Sequence, residues 1–309
     1  MVLRVAIVGP GRVGSALGRQ LRGPRVELLG FVGRNEAAAT RACAWAGQGR
    51  VLQWADLRAA HVVIFAVGDA DLATAVAAAV AASAQRSCAL WLHTSGRFGL
   101  EVFRDAGLHV ETGQPQVRLG ALHPVAPFPD AEQGFRNLPG APGVWLGEAR
   151  SERLLVRLCH LLGLVPIQDR AGDRVLYHAA CALAANGLTA LRSQVDAVFA
   201  GAGGLDRADA ARLADALMGS ALRSCAALGP QAALSGPVLR GDAGTVVAHL
   251  RSLEASVPAV RATYVALMQA ALALAVARGL PQAAADAVQN ALSRSPSGPD
   301  PGVQPRSGD

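Results

Sequence analysis

The sequence predicts an α/β fold: a doubly wound parallel Rossmann sheet followed by an all-α C-terminal domain. Short apolar runs rich in β-branched residues alternate with helix-length segments through the first half of the 309 residues, the pattern of repeated βα units. A Gly-x-Gly-x-x-Gly sequence closes the first of those runs. Past residue 170 the strand-like runs stop and only long helical periodicities continue. At 309 residues the chain exceeds the roughly 100 to 200 residues usual for one domain, so two packed domains are expected. Apolar residues make up 51% and aromatics only 4%, so the core is built from Ala, Val and Leu, which suits helix-rich packing.

Residues 3–8 form a short apolar run closed by glycine, as a strand buried on both faces does. Residues 12–21 carry apolar side chains at helical spacing. The runs 26–32, 62–67 and 90–92 read as later strands, with Ala-rich helices between them. Three further runs, 119–122, 144–146 and 165–167, extend the sheet, with a helix over 151–162 before the last. The first domain thus covers 1–170, with a hinge near 170–172. Helical patterns over 173–200, 207–228, 243–253, 258–278 and 281–292 make up a second domain, 171–292. The tail, 293–309, is largely Ser, Pro, Gly and charge, too poor in apolar surface to offset ordering entropy, and is expected to be disordered. The Ala-rich stretches 70–84 and 265–277 fall short of the roughly 20 apolar residues that span a bilayer and read as buried helices.

The net charge of +6 comes from Arg alone, since the sequence contains no Lys, and the arginines are scattered. That argues against a nucleic-acid partner. Five cysteines, an odd number without any Cys-x-x-Cys pair, indicate neither a disulfide framework nor a zinc site. The seven histidines show no ligand spacing, so no metal is expected. The N-terminus runs directly into a strand without a charged n-region and cleavable apolar segment, so a cytoplasmic protein without a membrane segment is expected.

The glycine loop, Gly9-Pro10-Gly11-Arg12-Val13-Gly14, follows a buried strand and opens an amphipathic helix, the context that dinucleotide binding requires. Gly9 would allow the tight turn, Gly11 the close approach of backbone to pyrophosphate, and Gly14 the packing of helix on sheet, with the helix N-terminus facing the anion. About twenty residues on, where a preference for NAD would place Asp or Glu, stands Gly33-Arg34-Asn35. A guanidinium holds a 2′-phosphate by charge-assisted hydrogen bonds, so Arg34, with Asn35 as a second donor, favours NADP over NAD.

Ligands in an open parallel sheet sit beyond the carboxyl ends of its strands. Val67 ends one such run, and it and the following Gly68, Asp69 and Asp71 stand where they would border the nicotinamide ribose or cap the next helix, with capping favoured for Asp71 and cofactor contact for Val67 and Gly68. His93-Thr94-Ser95-Gly96 follows the next strand and brings the Ser95 hydroxyl near the nicotinamide. His123-Pro124 puts an imidazole on the same rim. Ser95 lacks a Gly-x-Ser-x-Gly elbow, which speaks against hydrolysis. On the long helix, Ala182, Asn186, Thr189 and Ser193 fall within about 80° of His178, whereas Leu176, Ala180, Leu183 and Leu191 cluster opposite. The apolar face is expected to lie against its own domain and the polar face to meet a cleft. The segment 235–242 reads as a Gly- and Pro-punctuated loop, where Arg240 would bind a substrate carboxylate and Asp242 fix the loop.

With these residues the chain resembles the Rossmann-like proteins that carry the C-terminal domain of unknown function 2520 (DUF2520). The resemblance rests on the glycine loop, His93-Thr94-Ser95-Gly96, Ala121-Leu122-His123-Pro124, Tyr177-His178-Ala179-Ala180 with Asn186, and the segment 235–242, and covers nearly all the chain except the tail. That family looks like a cousin of the pyrroline-5-carboxylate, ketopantoate and 6-phosphogluconate-type dehydrogenases. The resemblance implies hydride transfer from NADPH to a small carbonyl or imine acid, ketopantoate among the candidates, and a homodimer formed through the helical domain. Many relatives in the wider group use a Lys and an Asn from the long helix. Without Lys, His178 is the replacement proton donor, with Asn186 orienting the substrate and Ser95 and His123 at the nicotinamide. The competing reading is a non-catalytic dinucleotide-binding sensor.

Overall fold

The structure is a computed structural model that describes residues 2–82, 89–106, 108, 117–170 and 172–294. Cys88 and the tail from 295 onward, expected to be disordered, lie outside the described residues. Two compact units make up the chain, Met1–Ala185 and Asn186–Asp309. Residue 170, where the sequence reading placed the boundary, lies just past the last strand, and the following helix stays with the first unit.

In the first unit, β1 (Leu3–Val8), α1 (Arg12–Gln20), β2 (Val26–Val32), α2 (Glu36–Ala46) and the short β3 (Arg50–Val51) lead through a 3-10 turn (Trp54–Ala59) to β4 (Val62–Phe65) and α3 (Asp69–Ala82). They are followed by β5 (Leu90–His93), α4 (Glu101–Asp105), β6 (Arg118–Pro124), α5 (Ala131–Asn137), β7 (Pro142–Gly147), α6 (Glu152–Leu161), β8 (Val165–Gln168) and α7 (Arg174–Ala182). The eight strands form one sheet in the order β3-β2-β1-β4-β5-β6-β7-β8. The first six run parallel, β7 turns antiparallel to β6, and β8 is parallel to β7. Alternate residues of β1 serve opposite faces, as strand geometry requires. Val5 and Ile7 pack with Leu17 of α1 and Leu158 of α6, while Ala6 and Val8 pack on the side of Leu72 of α3 and Phe103 of α4. Strand β3 lacks any apolar run and escapes sequence reading. Gly30 accommodates it, at φ +143°, where a Cβ would stand 1.7 Å from the Arg50 carbonyl oxygen.

The second unit is helical among its described residues: α8 (Leu188–Ala202), α9 (Arg207–Leu228), α10 (Pro230–Ala233), α11 (Ala243–Ser256), a 3-10 turn (Pro258–Val260), α12 (Arg261–Ala277) and α13 (Gln282–Leu292). Its core joins Val238, Val246, Leu250, Leu272, Ala275 and Val288. The long helix expected over 173–200 is interrupted by one π-helical stretch, Leu183–Gly187, between α7 and α8. A π turn holds more residues than an α turn and so shifts the phase of everything after it, which a single 100° periodicity misses. The stretch Pro258–Ala277 is long and apolar enough, by length and composition, to cross a membrane. The helical pattern over 258–278 has this length; the expectation from 265–277 alone, a span too short to cross and a buried helix, is corrected on both counts, since little of the stretch is buried. Inside the unit, Leu272 and Ala275 are packed in the core.

Candidate functional site

The glycine loop has the geometry of a dinucleotide cradle. Gly9 sits at φ +103°, and a Cβ there would approach the Ala66 carbonyl oxygen to 2.5 Å, so only glycine makes this turn. At Gly14 a Cβ would lie 2.0 Å from the Gly9 carbonyl oxygen; glycine lets α1 close onto the loop. Around Gly11 and Gly68, by contrast, a Cβ would meet nothing within 4 Å, which leaves open space where a pyrophosphate and ribose would lie. Pro10 abuts Gly33, whose Cβ would meet the proline ring at 2.7 Å, and Val67 abuts Gly9 in the same way at 2.8 Å. The first α1 amide with an internal acceptor is that of Ser15, which donates to the Gly11 carbonyl at 2.9 Å. The amides of Arg12, Val13 and Gly14 precede it in the first turn, where helices leave N–H groups for an anion. The Arg12 side chain reaches away to the Pro129 carbonyl, at 3.3 Å.

At the end of β2, Asn35 caps α2, its side-chain oxygen accepting from the Ala38 amide at 3.2 Å, which leaves its amide group as a donor. Arg34 is exposed and pairs with Asp71 in the first turn of α3, at 3.1 Å. The carboxylate read from sequence as a cap is therefore the partner of the arginine read as a phosphate ligand. Exposed pairs of this kind contribute little to stability, about 0 to 1 kcal/mol, so Arg34 is free to change partner.

The carboxyl ends of β5 and β6 hold the second part of the site. His93, the last residue of β5, is fully buried; its Nε2–H donates to the Gly99 carbonyl at 2.9 Å, and its Nδ1 is buried without a partner among the described residues. Burial, opposed by that hydrogen bond, pushes its pKa down to about 4, so the ring is neutral. Ser95, expected at the nicotinamide, directs its hydroxyl into its own turn. The oxygen accepts the amides of Arg97 and Phe98, at 3.1 and 3.2 Å, and the residue is buried. Ser95 thus shapes the loop after β5 while its hydroxyl is engaged.

His123 on β6 and His178 on α7 both converge on Gly96. A Cβ at Gly96 would stand 2.9 Å from His123 Cε1 and 2.9 Å from His178 Cδ2. The two imidazoles lie edge to face, with centroids 6.2 Å apart. Burial foremost, then the Arg174 and His178 charges, lower the pKa of His123 to about 4. Its Nδ1 is hydrogen-bonded to the Tyr177 hydroxyl at 2.7 Å. Arg174, one helical turn before His178, ties the parts together: it donates to Asp169 at 2.7 Å and to the Ser95 carbonyl at 3.0 Å. Its own Nε is buried with no partner among the described residues. Tyr177, Arg174 and Asp169 had no role in the sequence reading. The sequence carries a partial signal for them: Tyr177 adjoins His178, and Asp169 and Arg174 flank the passage from β8 to α7.

The polar side of the helix brings His178 to the rim of the sheet, as expected, but the apolar side is not buried. Leu176 and Leu183 are 68% and 75% exposed, while Tyr177 and His178 are half-buried against the rim of the sheet. The Arg174 ion pair pins that face onto the sheet and turns the leucines outward. Asn186, in the π-helical stretch, and Arg240, in the turn before α11, are exposed and belong to the second unit. Asp242 does fix its loop, accepting from the Thr245 amide at 3.0 Å and its hydroxyl at 2.6 Å. No group of His, Cys, Asp and Glu among the described residues is arranged to hold a metal.

Comparison with known proteins also gives two parts, with a boundary that lies earlier in the chain. A Rossmann-like domain model matches residues 1–119 and the DUF2520 model matches 145–290. The chain joins a Rossmann-like domain to a DUF2520 domain. The DUF2520 match begins in β7 and runs to α13, so it takes in α7 with Tyr177 and His178. Among solved structures, a proposed NADP oxidoreductase of Bacteroides fragilis is similar at 18% identity and TM-score 0.70, over 88% of this chain and 98% of that one. A protein of Thermotoga maritima matches at 19% and 0.62, over 89% and 99%. A pyrroline-5-carboxylate reductase of Coxiella burnetii matches at 13% and 0.56, over 96% and 100%. At these identities the likeness is one of fold. No curated protein matches the Rossmann-DUF2520 chain in sequence.

Proposed function

We propose that the chain is an NADP-dependent oxidoreductase that reduces a small carbonyl or imine acid. The observation that carries this reading is the convergence of His123 and His178 on Gly96, at the carboxyl edge of the sheet whose first strand ends in the glycine loop. The open space at Gly11 and Gly68 accepts the pyrophosphate and ribose, and the first-turn amides of α1 hold the phosphates. Arg34 leaves Asp71 for the 2′-phosphate, with the Asn35 amide as second donor. Bound there, the dinucleotide supplies a hydride. The neutral His123 polarises the acceptor oxygen or nitrogen as a hydrogen-bond donor, and His178 supplies the proton. The reading includes a homodimer formed through the helical unit, where α9 leaves Leu213, Leu217 and Leu228 exposed.

Titration with NADPH and NADH in parallel, on wild type and Arg34→Ala, tests the cofactor half. NADPH should bind more tightly, and Arg34→Ala should remove the preference by loss of charge-assisted hydrogen bonds, about 10- to 100-fold in Kd. If neither nucleotide binds at millimolar concentration, the oxidoreductase reading fails. If NADPH binds but is oxidised with no member of a keto-acid and imino-acid panel, the dinucleotide-sensor reading takes its place.

A further inference from the structure

We propose that Tyr177 is a positioning residue that locks His123 in its Nε2–H tautomer, so that the imidazole presents an N–H to the substrate. The proposal rests on the oxidoreductase reading and assigns within it a residue without a role so far. The short Nδ1···Oη contact, 2.7 Å, admits two arrangements: the phenol donates to Nδ1, or Nδ1–H donates to the phenol oxygen. A neutral imidazole nitrogen is a much stronger acceptor than a phenol oxygen, and a phenol is the better proton donor. The phenol therefore donates, and the ring proton is left on Nε2.

Two further observations agree. Tyr177 keeps its proton: burial foremost, and hydrogen bonding with Cys181, push its pKa up, so the hydroxyl retains a hydrogen to give. His123 Nε2 makes no hydrogen bond to another described residue, so the remaining N–H is uncommitted. The ionisable groups that face His123 are Arg174 and His178 on α7, Asp69 on α3 and His93 on β5; only Asp69 favours a charged ring, and Arg174 opposes it more strongly. A neutral ring with a fixed tautomer is a hydrogen-bond donor whose strength does not vary across the neutral pH range. In this arrangement His123 orients and polarises, and the transferred proton comes from His178. A similar division of labour, with a neutral imidazole as electrophile, is known elsewhere in catalysis.

The test is the two-bond proton–nitrogen spectrum of histidine-labelled protein, with His123 assigned by the resonance missing from His123→Asn. The wild type should show the pattern of a pure Nε2–H tautomer, unchanged from pH 8 to pH 6. In Tyr177→Phe the two nitrogen shifts should move toward each other as both tautomers become populated. A wild-type ring protonated on Nδ1 overturns the proposal, and needs no variant to fold. Unchanged ring shifts in a folded Tyr177→Phe also overturn it. NADPH titration of the same samples separates the two readings: wild type that fails to bind NADPH but has the Nε2–H tautomer sinks the oxidoreductase reading, and with it the substrate-facing role of that N–H. Wild type that binds NADPH but has the Nδ1–H tautomer sinks the Tyr177 proposal alone.

Discussion

His93 is buried with one ring nitrogen satisfied by Gly99 and the other without a partner among the described residues, and its pKa of about 4 lies well below the ordinary 6.5. The sign of the linkage follows directly. Above pH 6.5 the ring is neutral in both folded and unfolded chains and contributes no pH dependence. Between 6.5 and 4 the unfolded chain takes up a proton that the native state refuses, so stability falls as pH falls. At pH 5 the loss from His93 alone is about 2 kcal/mol. His123, shifted the same way, adds to it. Urea unfolding at pH 7 and pH 5 should show the loss, and His93→Gln, whose amide can still donate to Gly99 but does not titrate, should flatten it by about that amount. An equal pH slope in the variant would mean that His93 titrates normally. The sequence made much of this site legible, because a position directly after a β-strand is a place on a rim, and both His123 and the loop after His93 could be located that way. What it withheld are the partners. The Tyr177 hydroxyl meets a ring 54 residues away and Arg174 meets a carbonyl 79 residues away, and no local periodicity encodes such pairs.

Helix α7 shows how an element's orientation is decided by one buried interaction against a helical wheel's prediction. Its wheel favours burying Leu176 and Leu183, yet those are exposed, and the helix instead buries Arg174 beside Asp169, with side chains only 8% and 14% exposed. Bringing these charges out of water costs several kcal/mol per ion, offset only by close mutual geometry and additional hydrogen bonds such as the one to Ser95. Removing one partner leaves the other uncompensated. Asp169→Ala should therefore destabilise the first unit by about 3 kcal/mol in urea unfolding at pH 7. Replacing both charges together, Asp169→Leu with Arg174→Met, should recover part of that loss. A loss below about 1 kcal/mol for Asp169→Ala would mean that water reaches the pair and screens it. Elsewhere the elements were legible wherever burial wrote a period into the chain. Strand β1, the helices α1 and α6, and α9 to within a residue followed from spacing alone. Strand β3 did not, being two residues held by Gly30, and the antiparallel turn of β7 did not, because direction leaves no trace in an apolar run.

At the scale of the whole molecule, the helical unit carries apolar surface that the described residues leave uncovered. Of the 22 residues of α9, only Ala210 and Ala214 are buried, and α8 buries none. Leu213 and Leu217, one turn apart on α9, are 48% and 70% exposed, and Leu228 is 64% exposed. On the same unit, Leu191, Val195, Phe199 and Met268 line an apolar groove of about 390 Å³. Single exposed leucines are ordinary, but a row of them along α9 is a face that the proposed dimer would cover. A second copy of the chain is the partner that needs no other gene product, and two-fold pairing is the commonest way soluble proteins cover such a face. The protein should therefore sediment at twice the 31.6 kDa of one chain. Leu217→Arg should shift it to the single-chain mass while leaving the helix intact, because arginine is a good helix former and the position is exposed in one chain. Far-ultraviolet circular dichroism checks that second condition. Wild type that sediments as one chain at tens of micromolar would show that α9 faces solvent or a different protein, and the dimer would then be withdrawn without consequence for the nucleotide loop in the first unit.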